Sequence, residues 1–508
     1  MADTKVIKIH QDDFVAVALA PLSKGESYLG VTLLEDIPQG HKFALKDIPA
    51  ESKVIKYSYP IGKATQDIKT GSHVHVHNMK TLLSETAEYS YTPDEKVIAS
   101  GYKAVETNGF ENKTIKAYRR PNGKIGIRNE IWIVPTVGCV NKLAERLANT
   151  AKVKDGIDGI HAWIHPYGCS QMGGDHEQTR TVLADLVNHP NAAAVLVLGL
   201  GCENNTVEKF AELVASRSPD GEGSDITQNG RIIYLTSQNS TDEIADGLAA
   251  LDKLQDFACN NKREDVSISE LVIGMKCGGS DGLSGITANA LVGQICDRFT
   301  SSGSKVMLTE VPEMFGAEQM LMNRCVSPAI YNDTVNLINN FKDYFVRHGQ
   351  TVYENPSPGN KAGGITTLED KSLGCVQKGG RSPIKGVLSY GDIMPLNAEA
   401  GGVYLLEGPG NDIVSTTAMT AAGAHLILFT TGRGTPLGAP VPTVKIASNT
   451  PLAEHKSNWI DFNAFTMLTE NACDKLSDLI LDVASGKQTK NEANGYREIA
   501  ILKDGVTL

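Results

Sequence analysis

The chain has 508 residues, a hydrophobic fraction of 41% and a formal net charge of -11. This length exceeds what one hydrophobic core usually organises, so we expect two to four domains. The negative charge and the absence of a long Lys/Arg cluster argue against nucleic-acid binding, and no apolar run approaches the roughly 18 residues of a membrane span.

The first ten residues lack the charged-then-apolar layout of a signal peptide, which predicts a cytoplasmic protein. The nine cysteines are an odd number spread over a long chain, so they predict reduced thiols rather than a disulfide framework. The sequence has neither a phosphate-binding Gly-x-x-x-x-Gly-Lys-Ser/Thr loop nor a Gly-x-Gly-x-x-Gly turn after a strand. ATP hydrolysis and a standard dinucleotide site are therefore unsupported.

Residues 1–80 have the short β-like runs and frequent turn signals of a small all-β domain. His73, His75 and His77 alternate with valines, so a strand there would present three imidazoles on one face. Two of them could bind one divalent ion through neutral ring nitrogens, while the alternative is a solvated face of an edge strand. His41 is interpreted as a turn residue.

The polar stretch 81–115 reads as a linker. From about residue 116, strand-like runs alternate with helix-like segments in the rhythm of βαβ units, which predicts an α/β body with a mostly parallel sheet. We expect two subdomains in it, residues 116–350 and 351–508. The Pro- and Gly-rich segment 354–364 either marks their boundary or is an active-site loop.

Four cysteines each close a strand-like run where the backbone turns on glycine: Cys139, Cys169, Cys202 and Cys277. In an open α/β sheet the carboxyl ends of the strands face the ligand crevice. Thiolates placed there could bind a metal ion or an iron–sulfur cluster. Their spacing is long and irregular, so the alternative is that cysteine acts as a small hydrophobe in tight turns.

Three glycine-rich turns are candidate anion sites, and they contain Gly278-Gly279-Ser280-Asp281, Asn360-Lys361 and Thr431-Gly432-Arg433. The first precedes a helix-like segment, whose N-terminus attracts a carboxylate or phosphate. The other two place a cation inside backbone that a ligand can approach closely. The alternative is that the glycines serve only the steric needs of tight turns.

Motifs spread in order over nearly the whole chain carry a family resemblance. They are Gly40-His41-Lys42, His73 to Asn78, Asn122 to Asn129, Tyr167-Gly168-Cys169, Gly199 to Glu203, Cys277 to Asp281, Pro356 to Lys361 and Thr431 to Pro436. On these residues the chain resembles the altronate and galactarate dehydratases, a family that also holds a sulfolactate sulfo-lyase. The histidine-bearing segment and Glu313 to Gly316 resemble the altronate enzymes rather than the galactarate ones.

The resemblance implies an N-terminal β-clip domain of the SAF type, an α/β body, and dependence on iron(II) or manganese(II). It implies dehydration of D-altronate to 2-keto-3-deoxy-D-gluconate. The alternatives are a related hydro-lyase or sulfo-lyase acting on galactarate or sulfolactate, and a non-catalytic protein that binds a metal through thiols or binds a sugar acid. One departure is Phe465, where the family commonly has glycine.

For this chemistry we expect His75 and His77 to bind the metal, with Cys169 and Cys202 as further candidate ligands. The candidate acid/base residues are Lys361, Glu310 and Glu313. Arg433 and the turn at Gly278 and Gly279 would hold the substrate carboxylate. The remaining predicted substrate-binding residues are Ser280, Asp281, Asn360, Thr431 and Gly432. We also expect a homo-oligomer, specifically a dimer.

Overall fold

The computed structural model describes residues 5–83, 88–99, 101–218, 230–395 and 400–508. Its N-terminal domain consists of short antiparallel strands in sheets ordered β1-β2-β5-β8, β6-β7-β9 and β3-β4. The strands are β1 (Val6–Ile7), β2 (Val15–Ala18), β3 (Ser27–Tyr28), β4 (Val31–Thr32), β5 (Lys42–Ala44), β6 (Lys53–Lys56), β7 (Tyr59–Ala64), β8 (His73–Val74) and β9 (Met79–Lys80).

After a short helix, α1 (Glu95–Ile98), the middle part of the chain forms a four-stranded parallel sheet in the order β13-β12-β14-β15. Its strands are β12 (Glu130–Pro135), β13 (Gly159–Ala162), β14 (Ala192–Gly199) and β15 (Ile232–Thr236). The helices of this part are α2 (Asn141–Thr150), α3 (Gly173–Val187), α4 (Val207–Ser216) and α5 (Glu243–Ala258). β12 and β14 are buried along their whole length, as expected for parallel strands covered on both faces.

A three-stranded antiparallel sheet joins this part to the next one. It contains β10 (Thr114–Arg119), β11 (Ile125–Gly126) and β16 (Arg263–Ser267), in the order β11-β10-β16. Because β10 and β16 come from opposite ends of the middle part, their pairing closes it on itself.

The largest sheet has seven strands in the order β19-β20-β18-β17-β21-β22-β23, and every adjacent pair is parallel. Its strands are β17 (Val272–Cys277), β18 (Lys305–Leu308), β19 (Ile384–Leu388), β20 (Gly402–Leu406), β21 (Leu426–Thr431), β22 (Thr443–Ala447) and β23 (Phe462–Asn463). The helices are α6 (Ala288–Ser301), α7 (Glu318–Met322), α8 (Pro328–Arg347), α9 (Pro358–Ala362), α10 (Leu368–Cys375), α11 (Asp412–Ala421), α12 (Thr450–His455), α13 (Ala472–Ala484) and α14 (Lys490–Ala493).

One hydrophobic core lies between the two parallel sheets. Trp132 and Val134 of β12 belong to the same buried cluster as Ile427 and Phe429 of β21. A second core covers the other face of the seven-stranded sheet and includes residues of the N-terminal domain such as Val54. The three parts of the chain are therefore packed against one another through apolar side chains.

The predicted fold class is confirmed: a small all-β domain precedes an α/β body with mostly parallel sheets. The boundary predicted at residue 350 does not coincide with the division between the sheets, because the seven-stranded sheet takes strands from both sides of it. The segment 354–364 contains α9, and its residue Ala362 lies beside His41. In the described part of the chain, no helix combines the length and the apolar character needed to cross a membrane.

Candidate active site

Three histidines of the N-terminal domain come together where it contacts the body. His41 Nδ1 lies 2.9 Å from His73 Nε2, and one ring nitrogen from each of His41, His73 and His75 lies within 4.8 Å of the others. The body contributes neighbours, since His41 Nε2 is 3.3 Å from the carbonyl oxygen of Ala362 and His75 Nδ1 is 3.1 Å from Thr366 Oγ1. Imidazoles at this separation can bind one divalent ion.

The three imidazoles are held in the neutral form. Burial, together with His41 and His75, lowers the pKa of His73 to about 3. Burial, together with the Lys42 ammonium, lowers the pKa of His75 to about 4. The pKa of His41 is lowered as well, mainly by burial. A neutral imidazole keeps a lone pair for a metal, so this set of three ring nitrogens can bind a divalent ion.

The predicted strand through His77 is wrong, because β8 ends at Val74. Asn78 bonds the chain into a turn, where its Oδ1 accepts from the His75 amide and its Nδ2 donates to the His73 carbonyl, both at 2.9 Å. His75 therefore lies in the histidine cluster, while His77 is exposed with its ring 5.5 Å from that of His73. Among the described residues, His77 belongs to no group of three converging ligand atoms.

A buried charge network lies next to the histidine cluster. Asp370 accepts from Lys42 Nζ at 2.9 Å and from Lys56 Nζ at 3.0 Å. Lys42 also donates at 2.5 Å to Thr366 Oγ1, the hydroxyl that contacts His75. Burial alone would raise the pKa of Asp370, but the two ammonium groups outweigh burial and hold this pKa well below its ordinary value. The network ties β5 and β6 to helix α10.

Replacing Asp370 by Asn is expected to lower the free energy of unfolding by about 3–5 kcal/mol, because Lys42 and Lys56 would keep buried charges without a counter-ion. A carboxyl whose pKa is depressed on folding stabilises the fold above its unfolded pKa of about 3.9, and this stabilisation is lost as the pH falls further. The difference between wild type and Asp370→Asn should therefore shrink in acid. Urea unfolding at several pH values measures it.

Asp47→Asn is the matched control, because Asp47 also pairs with a lysine of its own domain, Lys69 at 3.0 Å, but on the surface. Its effect should be much smaller, since exposed ion pairs contribute little. Equal destabilisation by Asp47→Asn and Asp370→Asn would contradict the role given to the buried network.

The N-terminal domain meets the body through glycines. A Cβ atom on Gly282 would lie 1.9 Å from the carbonyl oxygen of Gly40, and one on Gly364 would lie 2.3 Å from the same oxygen. No side chain fits at either position, so the backbones of the two domains touch directly. We call Gly40, Gly282 and Gly364 the glycine seam. It places His41 beside the turn that contains Asp281.

Phe465, the departure from the family pattern, also lies at the contact between the two domains. It packs against an apolar cluster that combines Val17 and Leu19 of the N-terminal domain with Leu283 and Ile286 of the body. Its ring therefore fills the domain contact close to the glycine seam.

A second cluster lies where β17 ends. Cys277 Sγ is 3.1 Å from Glu313 Oε2 and 3.3 Å from Cys375 Sγ, and Cys375 Sγ is 3.2 Å from the same carboxylate oxygen. All three side chains are buried, and both cysteines are free thiols. We call this set the thiol–carboxylate cluster.

Glu313 of this cluster forms an ion pair with Lys371, with Nζ and Oε1 2.7 Å apart. Burial alone would raise the pKa of Glu313, but Lys371 and two further lysines outweigh burial and lower it to about 2. Burial would lower the pKa of Lys371, but Glu313 outweighs burial and raises it. At neutral pH the pair therefore presents an ionised carboxylate next to a protonated amine.

Glu310 is held beside the same cluster by two other buried lysines. Lys378 Nζ donates to Glu310 Oε2 at 3.1 Å and to Cys277 Sγ at 2.8 Å, and Lys276 pairs with Glu310. Lys276 also contacts Asp412 Oδ1 at 2.8 Å, and the Asp412 side chain is 32% exposed. A chain of alternating charges therefore runs from the buried thiols to the surface.

The predicted glycine turn lies between the two clusters. The Asp281 carboxylate accepts hydrogen bonds from Ser284, Ser448 and Asn449 at 2.8 to 3.0 Å, so it fixes the turn. Ser280 differs, because its buried hydroxyl has no hydrogen-bond partner among the described residues. A small cavity beside Ser280 is lined by Lys56 and Asp370 of the buried charge network and by Lys371 and Cys375 from the side of the thiol–carboxylate cluster.

The next strand end brings Arg433 to the same turn. The Gly432 and Arg433 amides donate to the Gly279 carbonyl at 3.1 and 2.8 Å, and Thr431 Oγ1 accepts from the Gly434 amide at 2.9 Å. The Arg433 side chain is exposed, and among the described residues its guanidinium has no hydrogen-bond or ion-pair partner. It is a cation available to a ligand at the mouth of the turn.

Gly278 and Asn360 also lie in this region. A Cβ atom on Gly278 would meet Asp412 Oδ2 at 2.6 Å, which places the turn against the exposed end of the charge chain. Asn360 donates to the Ser280 carbonyl at 2.8 Å. Lys361 follows on α9 and is half-buried one residue before Ala362, the neighbour of His41.

Cys169 and Cys202 lie elsewhere, at the carboxyl ends of strands of the four-stranded sheet. Among the described residues, their sulfur atoms and the histidine nitrogens form no common group within 4.8 Å. The four predicted metal ligands therefore do not come together as one set. Glu310, Glu313, Arg433, the Gly278–Asp281 turn and Asn360 do converge on one region.

Sequence reasoning missed several members of this region: Lys42, Lys56, Lys276, Asp370, Lys371, Cys375, Lys378 and Asp412. Lys42 and Lys276 carried a signal, because Lys42 is part of the motif Gly40-His41-Lys42 and Lys276 directly precedes Cys277. Asp370 and Lys371 lie in a polar helical stretch that does not differ in pattern from a solvated helix.

Three family models match the chain one after another. They are the altronate/galactarate dehydratase SAF domain over residues 4–82, the D-galactarate dehydratase/altronate hydrolase second domain over 117–258, and the D-galactarate/altronate dehydratase C-terminal domain over 268–507.

Relatives with the following names align over almost the full length. An altronate dehydratase of Bacillus subtilis (strain 168) is 48% identical and one of Escherichia coli (strain K12) is 49% identical, each over 99% of both chains. A galactarate dehydratase (L-threo-forming) of Escherichia coli (strain K12) is 32% identical over 95% of this chain and 93% of its own. With the architecture and the site described above, the chain belongs to the altronate and galactarate dehydratase family.

Proposed function

We propose that this protein is an altronate dehydratase, a hydro-lyase that converts D-altronate to 2-keto-3-deoxy-D-gluconate and water. The observation that carries the proposal is the full-length identity of 48–49% to two relatives of that name. The charged, glycine-lined region between the histidine cluster and the thiol–carboxylate cluster supports it, because it combines groups that bind an anion with groups that move protons.

The reaction removes the C2 proton and the C3 hydroxyl of the sugar acid. The C2 proton is weakly acidic, so the site has to stabilise negative charge that develops next to the carboxylate. A base must take the proton, and an acid must protonate the departing hydroxyl. Each requirement can be matched to side chains of this region.

We assign proton transfer to the pair Glu313 and Lys371. The ionised Glu313 carboxylate is in the form that accepts a proton, and the Lys371 ammonium, 2.7 Å away, is in the form that donates one. Glu310 holds Lys276 and Lys378 in place next to Cys277. Lys361 is the second candidate proton donor, on the side of the histidine cluster.

The substrate carboxylate is assigned to Arg433 and the amide groups of the Gly278–Gly279 turn. Arg433 suits this role because its guanidinium is exposed at the turn and can donate two parallel hydrogen bonds to a carboxylate. The free hydroxyl of Ser280 supplies a further contact for a hydroxyl group of the sugar acid, while Asn360 and Thr431 hold the two turns in place through their own hydrogen bonds.

His41, His73 and His75 would hold the divalent ion, iron(II) or manganese(II). When bound, this ion supplies a Lewis acid that stabilises negative charge on the oxygen atoms of the substrate. The three neutral nitrogens fit the ion better than the predicted pair His75 and His77, because His77 lies outside the cluster.

The test is a keto-acid assay of purified, metal-stripped protein with iron(II), manganese(II) or zinc added back, against altronate and galactarate. Formation of a 2-keto acid from altronate that depends on iron(II) or manganese(II) is the expected result. Preference for galactarate would identify the other activity of the family, and tight sugar-acid binding with no keto product would identify a non-catalytic protein. Full turnover after chelation would contradict the metal dependence.

Arg433→Ala is expected to raise KM for altronate about 10- to 100-fold, since a hydrogen bond to a charged group contributes about 1.5–3 kcal/mol. The change in kcat should be smaller, because the carboxylate is bound before and during the reaction. Steady-state kinetics measure both constants. Arg146→Ala is the matched control, since Arg146 is an exposed arginine of α2. An unchanged KM in Arg433→Ala would contradict the assignment.

We also propose that the enzyme works in the cytoplasm, which is supported by nine cysteines that are all free. Assembly into a homodimer stays a prediction, and light scattering of the purified protein tests it.

A further inference from the structure

Three neighbouring strands of the four-stranded sheet are each followed, a few residues after the strand ends, by the dipeptide Gly-Cys. Gly138-Cys139 follows β12, Gly168-Cys169 follows β13, and Gly201-Cys202 follows β14. The sheet order is β13-β12-β14, so the three thiols follow adjacent parallel strands at the same edge. Neither the histidine cluster nor the thiol–carboxylate cluster includes any of them.

Backbone contacts lock the three turns together. The Gly138 amide donates to the Tyr167 carbonyl at 2.8 Å, and the Asn205 amide donates to the Gly168 carbonyl at 3.2 Å. A Cβ atom on Gly168 would lie 2.0 Å from the Thr136 carbonyl oxygen, so only glycine allows this approach. The cysteines after these glycines are therefore held on a fixed frame.

Cys139, Cys169 and Cys202 are the exposed cysteines of the chain, and each is a free thiol. Gln238 lies in the turn that follows the fourth strand of the sheet, and its Nε2 donates to Cys202 Sγ at 3.5 Å. Asn205 Oδ1 lies in a side chain that is 1% exposed and has no hydrogen-bond partner among the described residues. A buried polar atom without a hydrogen-bond partner next to the turns indicates that a ligand binds there.

The separation of the sulfur atoms decides which ligand fits. One ion with metal–sulfur bonds of about 2.3 Å requires sulfur atoms within about 4.6 Å of one another. Among the described residues, the three sulfurs do not all lie within 4.8 Å of one another. Adjacent strands are about 4.8 Å apart, so thiols that follow three neighbouring strands are spread over a greater distance than one ion can bridge. A cluster of several metal ions is large enough to bind thiols spread in this way.

We propose that Cys139, Cys169 and Cys202 bind a four-iron, four-sulfur cluster. Two ferrous ions, two ferric ions and four sulfide ions form a cluster of charge 2+, and each thiol releases one proton as its sulfur bonds to an iron. Three protein thiolates leave the fourth iron with an open position on the exposed edge of the sheet. That position takes water or a small oxygen anion.

The experiment is anaerobic incubation of the full-length protein with equal amounts of ferrous and ferric iron and with sulfide, followed by gel filtration. Bound iron, bound sulfide and visible absorption are then measured. The wild type should retain about four iron and four sulfide per chain with a brown colour. Cys139→Ser, Cys169→Ser and Cys202→Ser should each reduce bound sulfide at least about tenfold.

Cys259→Ser and Cys473→Ser are the matched controls, because these thiols are only partly buried and lie outside the three turns. They should retain the wild-type iron and sulfide content. Thermal unfolding of every variant separates loss of the cluster from loss of the fold. A wild type without bound sulfide, an unchanged sulfide content in the triple serine variant, or one zinc per chain in place of the cluster would each overturn the proposal.

Discussion

Replacing His41, His73 or His75 by Ala is expected to lower kcat/KM for altronate about 1,000-fold and to abolish activation by added iron(II) or manganese(II). The three ring nitrogens lie within 4.8 Å of one another, so each removal leaves only two ligands from this set. A Lewis acid contributes several kcal/mol to a reaction that builds charge next to a carboxylate, and each 1.4 kcal/mol is a factor of ten. Metal content and the keto-acid assay measure the two effects.

His77→Ala is the sharpest control for this prediction. His77 lies on the same segment, and its ring is 5.5 Å from that of His73, but it is exposed and outside the cluster. It should keep metal content and most of the activity. If His77→Ala lost metal while His41→Ala did not, the ligand set expected from the alternating sequence pattern would be right and the cluster described here would not hold the ion.

Glu313→Gln is expected to lower kcat about 1,000-fold with a smaller change in KM. General acid–base catalysis contributes about 10²–10⁴-fold, and the amide cannot accept the proton. The variant also leaves the Lys371 ammonium without its counter-ion, so the pKa of Lys371 should fall toward the value that burial alone imposes. In the kcat–pH profile, the decline of kcat on the basic side should therefore begin at a lower pH than in the wild type.

Glu318→Gln controls for the cost of breaking a buried Glu–Lys pair. Glu318 pairs with buried Lys342 at 2.8 Å, as Glu313 does with Lys371, but outside the candidate site. Both variants should lose stability in urea, whereas only Glu313→Gln should lose turnover. A Glu313→Gln enzyme with wild-type kcat would assign proton transfer to another residue, with Lys361 as the next candidate.

The architecture could be predicted from the sequence because each strand and helix has a recognisable pattern in its own residues. β14 is a continuous apolar run of eight residues, and α3 follows a glycine turn, so both elements are recognisable without knowledge of their partners. The glycine turn Gly278–Asp281 and the cation Arg433 were recognisable for the same reason.

The metal ligands were harder to predict, since their geometry depends on a turn and a tertiary contact. His73, His75 and His77 alternate as in a strand, but the side chain of Asn78 bends the chain after Val74. Only the packing of β5 next to β8 brings His41 to the other two rings.

The thiol–carboxylate cluster shows the same limit at longer range. Cys277 and Cys375 are 98 positions apart in sequence, and no spacing rule connects them. Lys371 and Lys378 flank Cys375 in segments whose polar residues are typical of a solvated helix, although all are buried. Whether a charged side chain is buried depends on the assembled fold, and the local sequence pattern does not show it.

The glycine seam limits how members of this family can diverge. Gly40 and Gly282 are in backbone-to-backbone contact. A larger residue at either position therefore cannot be accommodated by a smaller side chain at the other, because neither position has a side chain. Evolution therefore cannot retune the angle between the two domains by compensating pairs of mutations. Changes in which sugar acid is accepted should instead accumulate at side chains that face the hydroxyl groups of the substrate, since these can change without moving the two backbones apart.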